Sequence, residues 1–187
     1  MCEETSFRIA ILPIGQVDTK VMQNLQAELC KAFPNTHRIR REEAMPLPQD
    51  AYNPERDQYN SSHILAEIPN FVEDLGAEHL LGVTEVDLYT SELNFVFGQA
   101  ECPGKFAVIS LCRLNPEFLD QPPNKPLLFE RSVKEAVHEI GHTLGLNHCN
   151  DLECVMFFSN SLLDTDRKNS TFCEDCFSLV RKKLDTM

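Results

Sequence analysis

Apolar positions along this chain follow two rhythms. Phe7 to Ile14 form an almost unbroken apolar run of strand length, and then Val17, Val21, Leu25, Leu29 and Ala32 recur at helical spacing behind Asp18, a residue suited to cap a helix. The pattern predicts a strand and then a helix. Ile64, Leu65, Ile68, Phe71, Val72 and Leu75 predict a second helix closed at Gly76, where a left-handed cap costs least. Residues 80–88 read as another strand. Residues 95–100 and 105–111 read as paired strands around the Glu101-Cys102-Pro103-Gly104 turn. A mixed sheet with helices against it, an α/β (α+β) arrangement, accounts for these elements. Between them, residues 40–60 carry Pro46, Pro48 and Pro54 among charges, with Tyr52 and Tyr59. That composition predicts a surface loop, although loops of this length also carry function.

A third helix has chemistry written on it. Val133, Ala136, Val137, Ile140 and Leu144 supply an apolar stripe, and Ser132 with Glu135 forms a candidate capping box. The segment includes His138-Glu139-Ile140-Gly141-His142-Thr143-Leu144-Gly145-Leu146-Asn147-His148. Residues four apart on a helix lie about 40° from alignment, so the His138 and His142 imidazoles can converge on one ion. Glu139 stands on the adjoining face, where its carboxylate can reach a metal-bound water as general base without being a ligand. On a continued helix His148 would face away, roughly 240° round from His142. The helix must therefore end, and Gly145 supplies the break by taking positive φ cheaply. Three histidines leave one position open on a tetrahedral zinc, as catalysis requires.

Composition narrows the function. At 187 residues the chain is long enough for one well-packed domain, and its 42% hydrophobic and 25% charged content is ordinary for a soluble protein. We expect a single domain over 1–187, with an N-terminal α/β subdomain to about 147 that carries the histidine helix and a C-terminal subdomain over about 148–187. A net charge of −12 argues against nucleic acid and against acidic membrane surfaces. The Met1-Cys2-Glu3-Glu4 start is acidic where a signal peptide is basic, so a cytoplasmic location is expected. A monomer is the default expectation. Thiols there are kept reduced, which makes disulfides the weaker reading of eight cysteines.

Four of those cysteines are scattered. The others, Cys149, Cys154, Cys173 and Cys176, have the Cys-x4-Cys and Cys-x2-Cys spacings of a structural zinc site. Redox pairing of Cys173 with Cys176 is the rival, but the βαβ setting of a redox motif is missing. Cys102 and Cys112 flank the predicted hairpin and are read as packed free thiols.

With these motifs in place, the sequence resembles the metzincin clan and, within it, the archaemetzincins. The resemblance rests on residues 137–176: the histidine motif, Cys149 directly after the third histidine, Cys154-Val155-Met156, and the Cys173 and Cys176 pair. It implies a compact metzincin-like (zincin) fold, with an active-site helix and a C-terminal subdomain organised by the cysteine zinc. It also implies that Met156 forms the methionine turn beneath the catalytic zinc; a core methionine is the plain alternative. Two zinc ions per chain are expected, one catalytic and one structural. Some clan members carry a tyrosine two residues after that methionine. Here the position is Phe158, so a phenolic oxyanion donor is missing; Tyr89 is a conceivable substitute, although a structural tyrosine is the commoner case.

The expected activity is hydrolysis of peptide or protein substrates by a zinc-bound water with Glu139 as general base. Residues 93–100 are the candidate edge strand for aligning an extended peptide. Two alternatives stay open: a catalytically silent zinc-binding interaction module, and a zinc hydrolase of a small amide.

Overall fold

The computed structural model describes residues 7–34, 36–40, 43–72 and 76–186. Strand β1 (Phe7–Ile14) is followed by helix α1 (Thr19–Ala32), whose first turn is capped by Asp18 accepting from the Lys20 amide, and then by β2 (Thr36–Arg40). Next come β3 (Tyr52–Asn53), β4 (Gln58–Asn60), α2 (Ser61–Phe71), β5 (His79–Thr84) and β6 (Leu88–Tyr89). Then follow β7 (Gly98–Ala100), β8 (Phe106–Ser110), α3 (Lys125–Thr143), α4 (Leu162–Arg167) and α5 (Glu174–Leu184). The main sheet has the order β2-β1-β5-β8-β7; the first four strands are parallel and β7 runs antiparallel at the edge beside β8.

The period of two along β1 sorts the core into two layers. Phe7, Ile9 and Ile11 face one side with Leu81, Val83, Ala107 and Ile109, where α1 and α3 cover them. Ala10, Leu12 and Ile14 face the other side with Leu80 and Val108, under Ile64, Leu65 and Ile68 of α2. Burying both faces requires near-continuous apolar strands, which is why these segments read as runs rather than as alternations. At about 1.5–3 kcal/mol per fully buried aliphatic side chain, each layer contributes strongly to holding the sheet. The histidine motif thus sits on a helix packed against the main sheet.

Several boundaries differ from those predicted. Helix α3 begins seven residues before Ser132, capped by Asn124 Oδ1 accepting from the Leu127 amide at 3.1 Å, with Pro126 in its first turn. Ser132 lies inside the helix and donates to the Leu128 carbonyl at 2.6 Å, while Glu135 turns to partners outside the helix. Helix α2 stops at Phe71, and Leu75 lies outside the described residues. The strand read over 80–88 leaves the main sheet at Thr84; Leu88 and Tyr89 pair instead with β4. Residues 40–60 are more than a surface loop, because β3, β4 and β6 make a second three-stranded sheet. Buried Met45 and Ala51 anchor this region to the α2 layer, and Tyr52 stacks on Tyr59 with ring centroids 5.0 Å apart. Among the described residues no helix is long and apolar enough to cross a membrane.

Candidate metal centres

The last two turns of α3 carry His138, Glu139 and His142. Gly145 then takes φ = +86°, its amide donates to the His142 carbonyl at 2.7 Å, and the Leu146 amide donates back to the Gly141 carbonyl at 3.1 Å. This turn reverses the chain and returns His148 to the helix. One imidazole nitrogen from each of the three histidines lies within 4.8 Å of the other two. His142 Nε2 is 3.1 Å from His138 Nε2 and 3.2 Å from His148 Nε2.

Hydrogen bonding fixes how two of these rings are protonated. His138 Nδ1 is 2.8 Å from the Val155 carbonyl, and His142 Nδ1 is 2.7 Å from the Leu146 carbonyl. A carbonyl oxygen only accepts, so each Nδ1 carries the hydrogen and each Nε2 presents a lone pair. Burial, reinforced by the positive charge of Lys168, pushes His138 well below its ordinary pKa; burial also lowers His142 and His148. Neutral imidazoles with converging lone pairs repel unless a cation lies between them. Nitrogen donors of this kind suit zinc, and the carbonyl partners on the far side of the rings are the orienting contacts that histidine ligands ordinarily have.

Glu139 is 5% exposed, and burial, with the neighbouring Glu135 adding to it, holds its carboxyl well above the usual range. Its space is provided by Gly98 of β7: a Cβ there would lie 2.6 Å from Glu139 Oε1. Met156 is fully buried, and a Cβ on Gly141 would meet its sulfur at 2.5 Å, so the thioether packs directly against the histidine helix. The Phe157 amide donates to the Cys154 carbonyl at 2.9 Å, closing a tight turn at Met156.

A cleft of about 540 Å³ opens beside the histidines. Its walls include residues 95–100, the three histidines, Glu135, Glu139 and residues 158–160. Of the predicted edge strand, only Gly98–Ala100 is in the ladder; Leu93 and Phe95 to Phe97 also line the cleft, with Val96 held by a single bridge to Leu88. Phe158 is 43% exposed, with its ring 4.9 Å from that of His148. Tyr89 does not line the cleft among the described residues. Its hydroxyl accepts from Asn53 at 3.4 Å and its ring lies 4.5 Å from the Arg56 guanidinium, so it is a structural tyrosine.

The second cluster begins one residue after His148. The sulfurs of Cys149, Cys154, Cys173 and Cys176 all lie within 4.8 Å of one another. Amides point at them: Asp151 to Cys149 at 3.4 Å, and Met156 and Cys173 to Cys154 at 3.4 and 3.3 Å. Burial pushes the Cys154 and Cys176 thiols up, whereas at Cys173 burial is outweighed by hydrogen bonds from the Cys176 amide and the neighbouring thiols, which hold it down. Four sulfurs this close cannot all ionise without a cation, and a soft tetrahedral ion fits them. No disulfide joins the described cysteines; Cys102 donates to the Leu146 carbonyl at 3.5 Å, and burial raises the Cys112 thiol to about 11.

The sequence points to Glu135 only as a capping-box partner of Ser132 and does not point to Lys168 at all. Glu135 has a detectable signal for the cleft, since it stands one helical turn before Glu139. Lys168, which pairs with it at 3.0 Å, has none, because only the fold brings it under α3.

A helix bearing two imidazoles and a carboxylate, a third imidazole returned by a glycine turn, and a cleft alongside make an arrangement that suits a zinc peptidase. Comparison with known proteins gives the same class: the sequence model of Peptidase family M54 matches residues 19–182. The archaemetzincin of Methanocaldococcus jannaschii is 46% identical over 176 residues, 94% of each chain. That of Pyrococcus furiosus is 42% identical over 180 residues, 94% of this chain and 93% of the relative. The crystal structure of archaemetzincin from Methanopyrus kandleri superposes with a TM-score of 0.86 at 34% identity, covering 98% of both chains. That from Archaeoglobus fulgidus, complexed with malonate, gives 0.80 at 42% identity, covering 92% of this chain and 99% of the other. The chain therefore belongs to peptidase family M54, the archaemetzincin zinc metallopeptidases.

Proposed function

We propose that His138, His142 and His148 hold the catalytic zinc of a peptide-bond hydrolase, that Glu139 is its general base, and that Cys149, Cys154, Cys173 and Cys176 hold a second, structural zinc. The observation that carries this reading is the pair of tethered imidazoles. Hydrogen bonds at Nδ1 turn the Nε2 lone pairs of His138 and His142 toward a common point beside Glu139 and the cleft. Met156 beneath the helix and the Gly145 turn support the wider assignment to the metzincin clan.

Zinc bound at the histidines would lower the pKa of water to about 7 and polarise a scissile carbonyl. The chain's own residues do the rest. β7, at the sheet edge and in the cleft wall, aligns an extended peptide through its free backbone groups, as edge strands do in β-augmentation. Glu139 accepts the attacking water's proton on a carboxylate oxygen and passes it to the leaving amine nitrogen. Gly98 keeps the carboxylate pressed to the strand where the peptide would lie. Closely set free thiols suit a reducing cytoplasm.

Cleavage of a peptide library, read by mass spectrometry on zinc-loaded protein, tests the assignment. Wild type should cut, and Glu139→Ala should retain zinc while losing about 10²–10⁴-fold in rate. Near-normal turnover by that variant would reject the proton-transfer role.

A further inference from the structure

Beneath the cleft lies an ion pair that supplies neither a proposed metal ligand nor the proposed general base. Lys168 is wholly buried, and its Nζ is 3.0 Å from Oε1 of Glu135, itself 3% exposed. The same ammonium donates to the Phe157 carbonyl at 3.4 Å, and Thr165 Oγ1 donates to Glu135 Oε1 at 3.3 Å. Alongside, Arg131 grips the Asp166 carboxylate through two bonds of 2.7 Å, and Lys134 Nζ donates to the Asp166 carbonyl at 3.2 Å. Polar ties therefore bind α4 and its flanks to α3.

For cohesion alone this is a poor device, since a well-packed apolar pair of similar volume holds buried elements together as well or better. What an ion pair adds is direction. Apolar contacts tolerate sliding, whereas a carboxylate shared by an ammonium and a hydroxyl, with the ammonium also on a carbonyl, admits one arrangement. The place where that arrangement is enforced is informative. Glu135 stands one turn before Glu139 and lines the cleft; Phe158, Ser159 and Asn160 line it too, immediately after the carbonyl that Lys168 holds.

We propose that Lys168 and Glu135 are positioning residues for substrate. Their buried pair fixes residues 158–160 relative to the turn of α3 that leads to Glu139, and so sets the shape of the wall a peptide meets. This rests on the reading of the cleft as the peptide site.

The test is the double variant Glu135→Leu with Lys168→Met, which replaces the pair by apolar side chains without stranding a charge. On zinc-loaded protein three quantities are measured: the thermal midpoint, amide hydrogen exchange at residues 157–161, and affinity for two probes in the Glu139→Ala background. One probe is a fluorescent dipeptide hydroxamate, which reaches both metal and wall. The other is acetohydroxamate, which reaches the metal only. We expect a midpoint near that of wild type, with exchange at 157–161 about tenfold faster. Dipeptide hydroxamate should bind about tenfold more weakly while acetohydroxamate is unchanged, since small displacements of positioning groups have effects of this order. Lys168→Arg, which keeps the charge, should recover most of both. Wild-type exchange and wild-type dipeptide affinity in the double variant would overturn the proposal and leave the pair a structural element only. If the double variant does not fold, Glu135→Gln is read in its place: the same changes, smaller, support the proposal, and none overturns it. Failure of wild type to bind either hydroxamate would count against the peptidase reading, while the exchange measurement would still judge the pair.

Discussion

The histidine and cysteine clusters share one stretch of chain and are built on opposite principles. His148 and Cys149 are consecutive; the Val155 carbonyl orients His138, and the Cys149 amide donates to the Met156 carbonyl at 2.9 Å. Yet two of the three histidines stand on one helix that the main core already holds in place, so their convergence follows from the fold. The cysteines come from residues 149, 154 and the start of α5, segments otherwise joined by few regular elements. Closing the chain between Cys154 and Cys173 has an entropic cost that a shared ion offsets. Three donors beside a cleft suit chemistry; four donors from separated segments suit architecture.

The largest expected effect separates the two clusters directly. His142→Ala removes one nitrogen donor from the open cluster and touches none of the sulfurs, so metal analysis should fall from two zinc equivalents to one and peptide cleavage should disappear. Loss of both metals together, or a single zinc in reduced wild-type protein, would show that the clusters are not the independent sites described.

Replacing Cys173 and Cys176 by serine approaches the comparison from the other side. Residues 156–186 should become protease-sensitive while the main sheet stays folded. Because Cys149 follows His148 and Val155 orients His138, affinity at the histidines should fall about 10–100-fold, the range seen when outer contacts of a metal ligand are lost. Metal titration with hydrogen exchange reads both. Unchanged protection after Met156 together with unchanged affinity would return the thiols to a redox or incidental role.

The same contrast explains what the sequence made legible. Histidines four apart on an amphipathic helix, with a glycine and a third histidine beyond, declare their geometry because the period of the helix fixes it. The buried strands were visible as apolar runs. By contrast, β2 carries Thr36-His37-Arg38-Ile39-Arg40, whose polar character hides a strand that pairs with β1 at the sheet edge. The small sheet of β3, β4 and β6 joins pieces of two or three residues each, too short to show a period. The start of α3 was misplaced because Ser132 and Glu135 imitate a capping box, while Asn124 with Pro126 is the real signal. Gly98 and Lys168 acquire their roles only from long-range contacts with Glu139 and Glu135, which local pattern does not encode.

The smallest expected effect concerns the turn that joins the two clusters. At Gly145, φ is +86°, a conformation that side chains rarely adopt. Space is not what reserves the position for glycine: a Cβ there would meet Pro103 at 3.4 Å and Lys183 Nζ at 3.9 Å, both ordinary contacts. The cost of Gly145→Ala is therefore conformational alone, about 1–2 kcal/mol for an L-residue in left-handed backbone. Asparagine, which tolerates that region better, should cost less. If the strain is absorbed locally, both variants keep two zinc ions, and urea denaturation of the zinc-loaded protein should rank them wild type, Gly145→Asn, Gly145→Ala. If instead the turn relaxes to relieve it, His148 moves while the thiols stay, and zinc affinity should fall at the histidines alone. An alanine variant as stable as wild type, with unaltered affinity at both clusters, would mean that the glycine turn is not what returns His148 to the helix.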